Sequence, residues 1–165
     1  MTAGHCLGAI GETWYQGGRS IGTTAAKSSS SYADAGLILV SPDKLSHYIY
    51  SNNNSTYMTM KSTLPLGGET VGDTVCVSGG KTDNSNCGTV ISTNFSGSVA
   101  GGGYYSGQVE ANYYAQSGDS GGPTFSAYQL MGIHVATNLS NNYDNLYSKV
   151  SRVLSSLGVT AITGY

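Results

Sequence analysis

The sequence predicts an all-β protein that ends in one helix. Gly, Ser, Thr, Asn and Tyr are abundant among the 165 residues, and only 10% of the residues are charged. This mixture of strand formers and turn formers is typical of a protein with many short strands. Strand-like runs recur at short spacing, which is typical of a barrel or a sandwich. The end of the chain differs, because its apolar residues recur at a helical spacing.

The expected strands can be followed along the chain. Each is a run of strand-forming residues, and Gly, Ser or Asn turns separate many of the runs. In chain order they cover residues 21–24, 35–40, 46–50, 57–61, 72–78, 88–93, 108–115 and 128–136. Residues 62–70, "STLPLGGET", contain a Pro and a Gly pair and are the best candidate for a linker. The length suits one domain, or two small halves that share a core.

The terminal helix is expected to be purely structural. The apolar residues at helical spacing are Leu146, Val150, Val153, Leu154 and Leu157. Gly158 follows them, at the place where a helix C-cap is expected. We therefore predict that a single helix packs against the β-structure.

The chain has three cysteines, and the odd number is informative. Cys76 and Cys87 flank the turn-rich segment "VSGGKTDNSN", which lies between two strand-like runs. A disulfide between them would close a short loop and stabilise the fold by roughly 2–3 kcal/mol. Two free buried thiols are the alternative. Cys6 has no obvious partner in the sequence.

Several classes of function are disfavoured by composition. The net charge is −2, and the seven Lys and Arg residues form no basic run, so no nucleic-acid partner is expected. No stretch approaches the roughly eighteen apolar residues of a membrane span. Residues 1–15 show no signal-peptide pattern. Three separated histidines without a Cys/His cluster argue against a metal site, and no cofactor is expected.

The strongest chemical signal is the hexapeptide "GDSGGP" at residues 118–123. A serine nucleophile needs an exposed hydroxyl, a base that takes its proton, and donors for the developing oxyanion. Glycines on both sides of Ser120 allow a tight turn that leaves Oγ accessible. They also allow the backbone N–H groups of Gly118 and Ser120 to point into one small hole. Most Gly-rich turns are only hairpins, but the full hexapeptide is specific.

Two further residues complete the chemistry that a serine nucleophile requires. The base must titrate near neutrality, which favours a histidine, and His5 lies in "TAGHC". The histidine needs a carboxylate that fixes its tautomer, and Asp34 lies in "ADAGLILV" at the start of an apolar strand. The order His, Asp, Ser along the chain is one of the known orders of a catalytic triad.

Together, "TAGHC", "DAGLI" and "GDSGGP" resemble a chymotrypsin-fold, trypsin-like serine protease. The short spacings and "VCVSGG…NCGTV" are similar to the bacterial secreted branch, the streptogrisin, α-lytic and glutamyl endopeptidase type. The C-terminal "YSKVSRVLSSLGV" resembles the last strand and helix of that branch. The resemblance implies two antiparallel six-stranded Greek-key β-barrels and a C-terminal helix. We expect residues 1–62 to form the first barrel and residues 63–165 the second.

The resemblance also implies a role for each matched residue. His5 would be the general base, Asp34 would orient it, and Ser120 would be the nucleophile. The N–H groups of Gly118 and Ser120 would form the oxyanion hole. The implied enzyme is a secreted serine endopeptidase that acts on polypeptides through an acyl-enzyme. A monomer is expected, and the resemblance implies folding with the help of a propeptide.

The position of the histidine motif raises a further expectation. In the family, strands of the first barrel precede this motif, and the cysteine beside the histidine bonds to a cysteine on one of them. Here Met1 stands just before "TAGHC". We therefore expect a truncated chain whose first barrel is incomplete, with an unpaired edge and an unpaired Cys6. A non-catalytic binding chain with a protease fold is the corresponding alternative function.

The specificity pocket is expected along residues 132–137, "GIHVAT". A histidine here resembles the glutamate-specific bacterial proteases, and a similar strand occurs in viral cysteine proteases that prefer glutamine. A buried substrate carboxylate needs hydrogen-bond donors, which His134, Ser117 and Thr137 could supply. We therefore expect cleavage after Glu rather than Gln. The alternatives are a satisfied core histidine at position 134 and cleavage after apolar residues.

Two departures from the family pattern bear on the site. The acid that trypsin-like specificity requires would lie near Tyr114, and none is present there. Asp119 normally forms a buried ion pair, but Val77 stands where the bacterial branch often has the basic partner. Lys81 is a candidate substitute for that partner.

Overall fold

Strands make up most of the regular structure. A computed structural model describes residues 1–28, 30–51, 56–99, 103–137 and 143–165. Short 3-10 helices cover Gly4–Cys6 and Pro42–Lys44. The regular elements, in chain order, are β1 (Thr13–Gln16), β2 (Arg19–Lys27), β3 (Gly36–Val40), β4 (Tyr48–Ser51), β5 (Thr56–Thr59), β6 (Ser62–Thr63), β7 (Thr74–Gly79), β8 (Asn84–Ser98), β9 (Tyr104–Ala111), β10 (Pro123–Ser126), β11 (Gln129–Thr137), β12 (Asn145–Lys149) and α1 (Val150–Leu157).

The C-terminal strands close into a six-stranded antiparallel barrel. The sheet runs in the order β10-β7-β8-β9-β12-β11-β6, and β10 also pairs with β11. That last pairing joins β10 and β11 and so closes the ring, which leaves no open edge among these six strands. β6 is added outside the ring, parallel to β11. The all-β fold class is confirmed, as is the helix at the end of the chain.

The N-terminal strands form smaller sheets. β1, β2 and β3 make a three-stranded antiparallel sheet, and β4 pairs with β5 as a separate hairpin. The first residues of the chain attach to this part through β3. Thr2 and Gly36 exchange two backbone hydrogen bonds, of 3.0 and 2.8 Å between N and O. This attachment places Gly4–Cys6 beside the start of β3.

The largest buried apolar cluster lies in the C-terminal barrel. It contains Val75, Val77, Val90, Val109, Ala111, Tyr113, Ala115, Met131 and Tyr147. β-branched residues on β7, β8 and β9 supply much of this core, because their branched side chains pack well on a pleated surface. Two of its members, Tyr113 and Tyr147, carry hydroxyl groups into an otherwise apolar interior.

The prediction that Leu146 begins a helical period was wrong. Leu146 lies in β12, and α1 starts at Val150. All five residues of β12 are buried, so its sequence does not alternate between apolar and polar residues as a half-exposed strand does. The predicted C-cap is confirmed, because Gly158 ends α1 with φ +65°. The buried Val153 packs against Ile133 and Ala35.

Other strand predictions were partly correct. β1, β6 and β10 were not predicted, and the expected strand over 108–115 ends at Ala111 in β9. The β10 sequence, "PTFS", begins with a proline that sequence patterns treat as a turn signal. Its pairing with β7 and β11 is set by neighbours that are distant in the sequence.

The predicted disulfide between Cys76 and Cys87 is present. The two residues lie directly opposite each other on β7 and β8. Cys6 is the free cysteine.

No helix in the described part of the chain is long and apolar enough to cross a membrane.

Candidate active site

The short helix Gly4–Cys6 brings His5 to Asp34. Asp34 stands just before β3, and its Oδ1 accepts a hydrogen bond from the backbone N–H of His5 at 2.8 Å. The side chains meet as well, with 2.5 Å between His5 Nδ1 and Asp34 Oδ2. One carboxylate therefore holds both the main chain and the ring of His5.

This pairing changes the acid–base behaviour of His5. The hydrogen bond to Asp34 raises the pKa of His5 from 6.5 to about 10, with a smaller contribution from Cys6 and an opposing one from burial. The His5 ring remains 44% exposed, whereas the Asp34 side chain is 13% exposed. The ring is therefore accessible to a substrate while its anionic partner is largely covered.

A further hydroxyl contacts the Asp34 carboxylate. Tyr105, on β9, places its hydroxyl 3.4 Å from Asp34 Oδ2 and is itself buried. Burial, followed by the charge of Asp34, raises the pKa of Tyr105 to about 12. The Asp34 backbone N–H donates to Ser148 Oγ at 3.1 Å. Neither Tyr105 nor Ser148 was identified from the sequence, because no local motif marks them.

Ser120 lies in a tight turn between the barrel strands. Gly118 and Gly121 have φ of +104° and +91°, values that favour glycine. The Asp119 N–H donates to the Gln116 carbonyl, and the Gly122 N–H donates to the Asp119 carbonyl. In the same turn, the N–H groups of Gly118 and Ser120 donate to no acceptor among the described residues. These are the two donors that the sequence pattern indicates for an oxyanion hole.

Ser120 and His5 do not share a hydrogen bond within the described ranges. The contact that the structure records between the two segments is Cys6 Sγ to the Ser120 carbonyl oxygen, at 3.8 Å. Hydrogen bonds between a catalytic serine and its histidine are often long in free enzymes and tighten in the substrate complex. An open pocket of about 300 Å³ borders His5, Asp34 and Tyr105.

Asp119 is held by backbone amides rather than by a cation. Its side chain is almost fully buried. Oδ1 accepts from the N–H groups of Lys81 and Thr82, at 2.8 and 2.9 Å, and Oδ2 accepts from the Gln116 N–H at 3.0 Å. Neither ion pair in the described residues includes Asp119. The expectation that Lys81 supplies an ammonium partner was therefore wrong, since Lys81 contributes its backbone N–H.

His134 lies inside the barrel with both ring nitrogens partnered. It has 0% exposure. Nδ1 is 2.9 Å from the hydroxyl of Tyr113, and Nε2 is 3.0 Å from Thr137 Oγ1. Burial lowers the pKa of His134 from 6.5 to about 4, so the ring is neutral at neutral pH. Thr137 is half-buried and Ser117 is exposed, which leaves hydroxyl groups as the accessible polar groups of this set.

The main chain of His134 also supports the turn that carries Ser120. The Gly121 N–H donates to the His134 carbonyl, and the His134 N–H donates to the Gly122 carbonyl, both at 2.9 Å. The strand that carries His134 is therefore bonded directly to the turn that carries Ser120.

The structure thus assembles most of the residues that the sequence singled out. His5 and Asp34 are paired, and the turn of Ser120 is bonded to the strand of His134. Tyr105, Tyr113 and Thr82 were missed, since only the fold brings them to the site. No group of three or more potential metal ligands occurs in the part of the chain that is described.

Comparison with known proteins gives three consistent results. The chain matches the family model described as Trypsin over residues 1–157. Serine protease 2 of Streptomyces fradiae is 34% identical over 138 residues, which cover 81% of this chain and 75% of the relative. Thermobifida fusca protease A is 26% identical with a TM-score of 0.81, and the match covers 99% of this chain and 83% of that one.

Two other solved structures are also similar. Cellulomonas bogoriensis chymotrypsin is 26% identical with a TM-score of 0.77, covering 99% of this chain and 85% of its own. A glutamic-acid-specific serine protease, described as using a histidine triad in substrate binding, is 25% identical with a TM-score of 0.82. That match covers 98% of this chain and 84% of the other.

Proposed function

The chain belongs to the trypsin family, among the bacterial chymotrypsin-fold serine proteases, and from that membership we propose that His5, Asp34 and Ser120 are its catalytic triad. The observation that supports this assignment most directly is the bond between His5 Nδ1 and Asp34 Oδ2. A carboxylate on Nδ1 leaves Nε2 as the ring atom that exchanges a proton with the serine.

The proposed reaction proceeds through an acyl-enzyme. Ser120 Oγ attacks the carbonyl carbon of the peptide bond, and His5 Nε2 takes the hydroxyl proton. The C–N bond then breaks, and His5 returns that proton to the leaving amine. Water attacks the resulting ester with His5 again as base, which releases the carboxylic acid and restores Ser120.

The oxyanion is assigned to the N–H groups of Gly118 and Ser120. Both are without an acceptor among the described residues, so they are available when charge develops on the substrate oxygen. Asp119 lies between these two residues, and the backbone amides of Lys81 and Gln116 hold its carboxylate in place.

A fluorophosphonate tests the assembly of the site, because it reacts with a serine that base and oxyanion donors activate. We expect one adduct by intact mass on the 165-residue chain, and none on Ser120→Ala. Ser155→Ala, which removes an exposed hydroxyl on α1, serves as the control and should still be labelled. An unlabelled native chain would instead favour the alternative of a non-catalytic binding protein.

For the substrate, we propose cleavage after Glu. Thr137 places a hydroxyl 3.0 Å from Nε2 of His134, and Ser117 offers an exposed hydroxyl just before Gly118. Such donors can solvate a buried carboxylate. The similarity to a protease described as glutamic-acid-specific supports the same choice.

A specific observation supports a second candidate, cleavage after apolar residues. Burial keeps His134 neutral at neutral pH, so the ring adds no positive charge to the pocket. Peptides that differ only in the residue before the cleaved bond separate the candidates. We expect kcat/KM to be higher for Glu than for Gln or Phe, and Thr137→Val to lower the Glu value while leaving the Phe value unchanged. A higher value for Phe would favour the second candidate.

We also propose an extracellular location, since the disulfide between Cys76 and Cys87 persists in oxidising compartments. A monomer of two halves, residues 1–62 and 63–165, that folds with help from a propeptide remains our expectation. Sedimentation of the purified protein would test whether it is a monomer. A count of free thiols on secreted protein would test whether Cys76 and Cys87 are oxidised there.

A further inference from the structure

A hydrogen-bonded chain of three side chains runs through the C-terminal barrel. It begins at the hydroxyl of Tyr113, continues through the ring of His134, and ends at the hydroxyl of Thr137. Tyr113 and His134 both have 0% exposure, whereas Thr137 is half-buried at the end of β11. These hydrogen bonds therefore connect the closed interior of the barrel to a partly exposed hydroxyl.

Two proton arrangements fit the distances. In the first, Tyr113 donates to Nδ1, and the Nε2–H of His134 donates to Thr137. In the second, Thr137 donates to Nε2, the Nδ1–H donates to the Tyr113 oxygen, and the Tyr113 proton needs another acceptor. The two arrangements present opposite polarity at Thr137, because only the first leaves the threonine proton free to bond a substrate.

Burial of Tyr113 distinguishes the two arrangements. The bond to His134 is the single hydrogen bond recorded for its hydroxyl within the described ranges. The neighbouring Tyr147 hydroxyl is buried and makes no hydrogen bond there, so it takes no proton from Tyr113. In the second arrangement a fully buried O–H would have no acceptor, which is costly. In the first arrangement the Tyr113 O–H has Nδ1 as its acceptor, and the Nε2–H of His134 has Thr137 Oγ1.

We propose that Tyr113 is a positioning residue that fixes the hydrogen-bond polarity of the specificity pocket. Its hydroxyl donates to Nδ1, which makes Nε2 the protonated nitrogen of His134. Thr137 Oγ1 accepts from Nε2, so its own proton points to the substrate. The pocket then offers a donor, which selects a carboxylate or an amide carbonyl. The selection of substrate rests on the proposed cleavage after Glu, whereas the proton arrangement does not.

The electrostatic surroundings agree with a neutral ring. Burial lowers the pKa of His134, and the charge of His5 acts in the same direction. Asp119 and the Leu146 backbone oppose this shift but do not overcome it. A neutral imidazole has one acceptor nitrogen, and Tyr113 is the donor that faces Nδ1.

The proton arrangement can be measured in the free protein. The ¹⁵N shifts of the histidine rings distinguish protonated from unprotonated nitrogens. We expect His134 in the native chain to be protonated on Nε2 and unprotonated on Nδ1. In Tyr113→Phe the Nδ1 shift should move, while in Tyr128→Phe, which alters an exposed tyrosine on the same barrel, it should not. A proton on Nδ1 of the native ring would overturn the proposal.

The effect on selectivity is measured with the same variants. We expect Tyr113→Phe to lower kcat/KM for a Glu peptide by about tenfold, which is about 1.4 kcal/mol, and to leave the value for a Phe peptide within about twofold. Tyr128→Phe should change neither. Undiminished fluorophosphonate labelling of Tyr113→Phe would show that the variant folds. An equal loss for both peptides would mean a merely structural role and would overturn the assignment.

The two measurements also separate this inference from the proposed specificity. If the native enzyme shows no preference for Glu but His134 carries its proton on Nε2, the proposed specificity fails and the assigned polarity stands. If Glu is preferred but Nδ1 carries the proton, the polarity is wrong and the specificity has another cause.

Discussion

At the scale of single residues, the chemistry of this protein is concentrated on the Asp34 carboxylate. It binds the main chain and the ring of His5, and it accepts a further bond from Tyr105. The bond between the carboxylate and the ring favours the protonated form of His5.

The raised pKa of His5 predicts the pH dependence of hydrolysis. In the proposed mechanism His5 must be neutral to accept the serine proton, and Asp34 stabilises the protonated form. Activity should therefore be lost as pH falls through a pKa above the usual 6.5. In Asp34→Asn this limb should move down toward 6.5, with kcat lower by about 10⁴-fold.

A pH profile of kcat/KM checks this prediction. Asp43→Asn, at an exposed carboxylate in the turn Pro42–Lys44, is the control and should keep the native profile. A limb that stays in place in Asp34→Asn would show that His5 is not the titrating base.

The Tyr105 hydroxyl should contribute modestly to the rate. Its 3.4 Å distance from Asp34 Oδ2 indicates a weak hydrogen bond. We expect Tyr105→Phe to lower kcat by roughly threefold to tenfold with little change in KM. Tyr15→Phe changes an exposed tyrosine on β1, outside this pocket, and should have no effect. Single-turnover kinetics of the two variants would measure the difference, and equal rates would remove Tyr105 from the proposed network.

At the scale of elements, the turn that carries Ser120 depends on the turn after β7. That turn supplies the Lys81 and Thr82 amides to Asp119, and it lies close to the carboxylate. A Cβ on Gly79 would lie 2.3 Å from Asp119 Oδ1, whereas one on Gly80 would meet nothing within 4 Å. The chain therefore contains a disruptive glycine position and a neutral one side by side.

We expect Gly79→Ala to displace Asp119 and disorder the oxyanion donors. The loss of one such donor lowers kcat by about 10²- to 10³-fold, and a larger effect on kcat than on KM is predicted. Gly80→Ala should retain native rates. Steady-state kinetics, with thermal unfolding as a check on folding, would test the pair. Native kcat in a folded Gly79→Ala protein would contradict the proposed coupling.

The sequence was most informative for elements whose signals are local. The hexapeptide around Ser120, the cap at Gly158 and the strand that became β3 each depend on neighbouring residues, and the structure contains the turn, the cap and the strand. Residue periodicity did not show β12 or β10, because burial on both faces, or pairing with distant strands, hides their period. The last strand was expected only from the family resemblance. Tyr105 and Tyr113 were missed for a related reason, since only strand register brings them to Asp34 and His134.

At the scale of the whole molecule, the disulfide between Cys76 and Cys87 acts on stability rather than on chemistry. It joins β7 and β8 across an 11-residue separation. Cys76→Ala/Cys87→Ala should lower the free energy of unfolding by about 2–3 kcal/mol.

Denaturant titration of the double variant measures this loss. Cys6→Ala, which removes the free thiol, is the control for the loss of sulfur alone. A double variant as stable as the native chain would show that the cross-link adds nothing to the closed barrel.

Position 134 has two separable duties, and the separation matters for how this enzyme can diverge. The bonds from its backbone to Gly121 and Gly122 use the carbonyl oxygen and the N–H group. Every amino acid except proline, which lacks the N–H, can make both bonds. The side chain alone bears on the proposed specificity pocket, through its bond to Thr137. Related genes, or a laboratory library randomised at this codon, can therefore change the substrate preference. The backbone bonds that hold the turn of Ser120 would remain. Preference is the trait expected to drift first, and hydrolysis the trait expected to last.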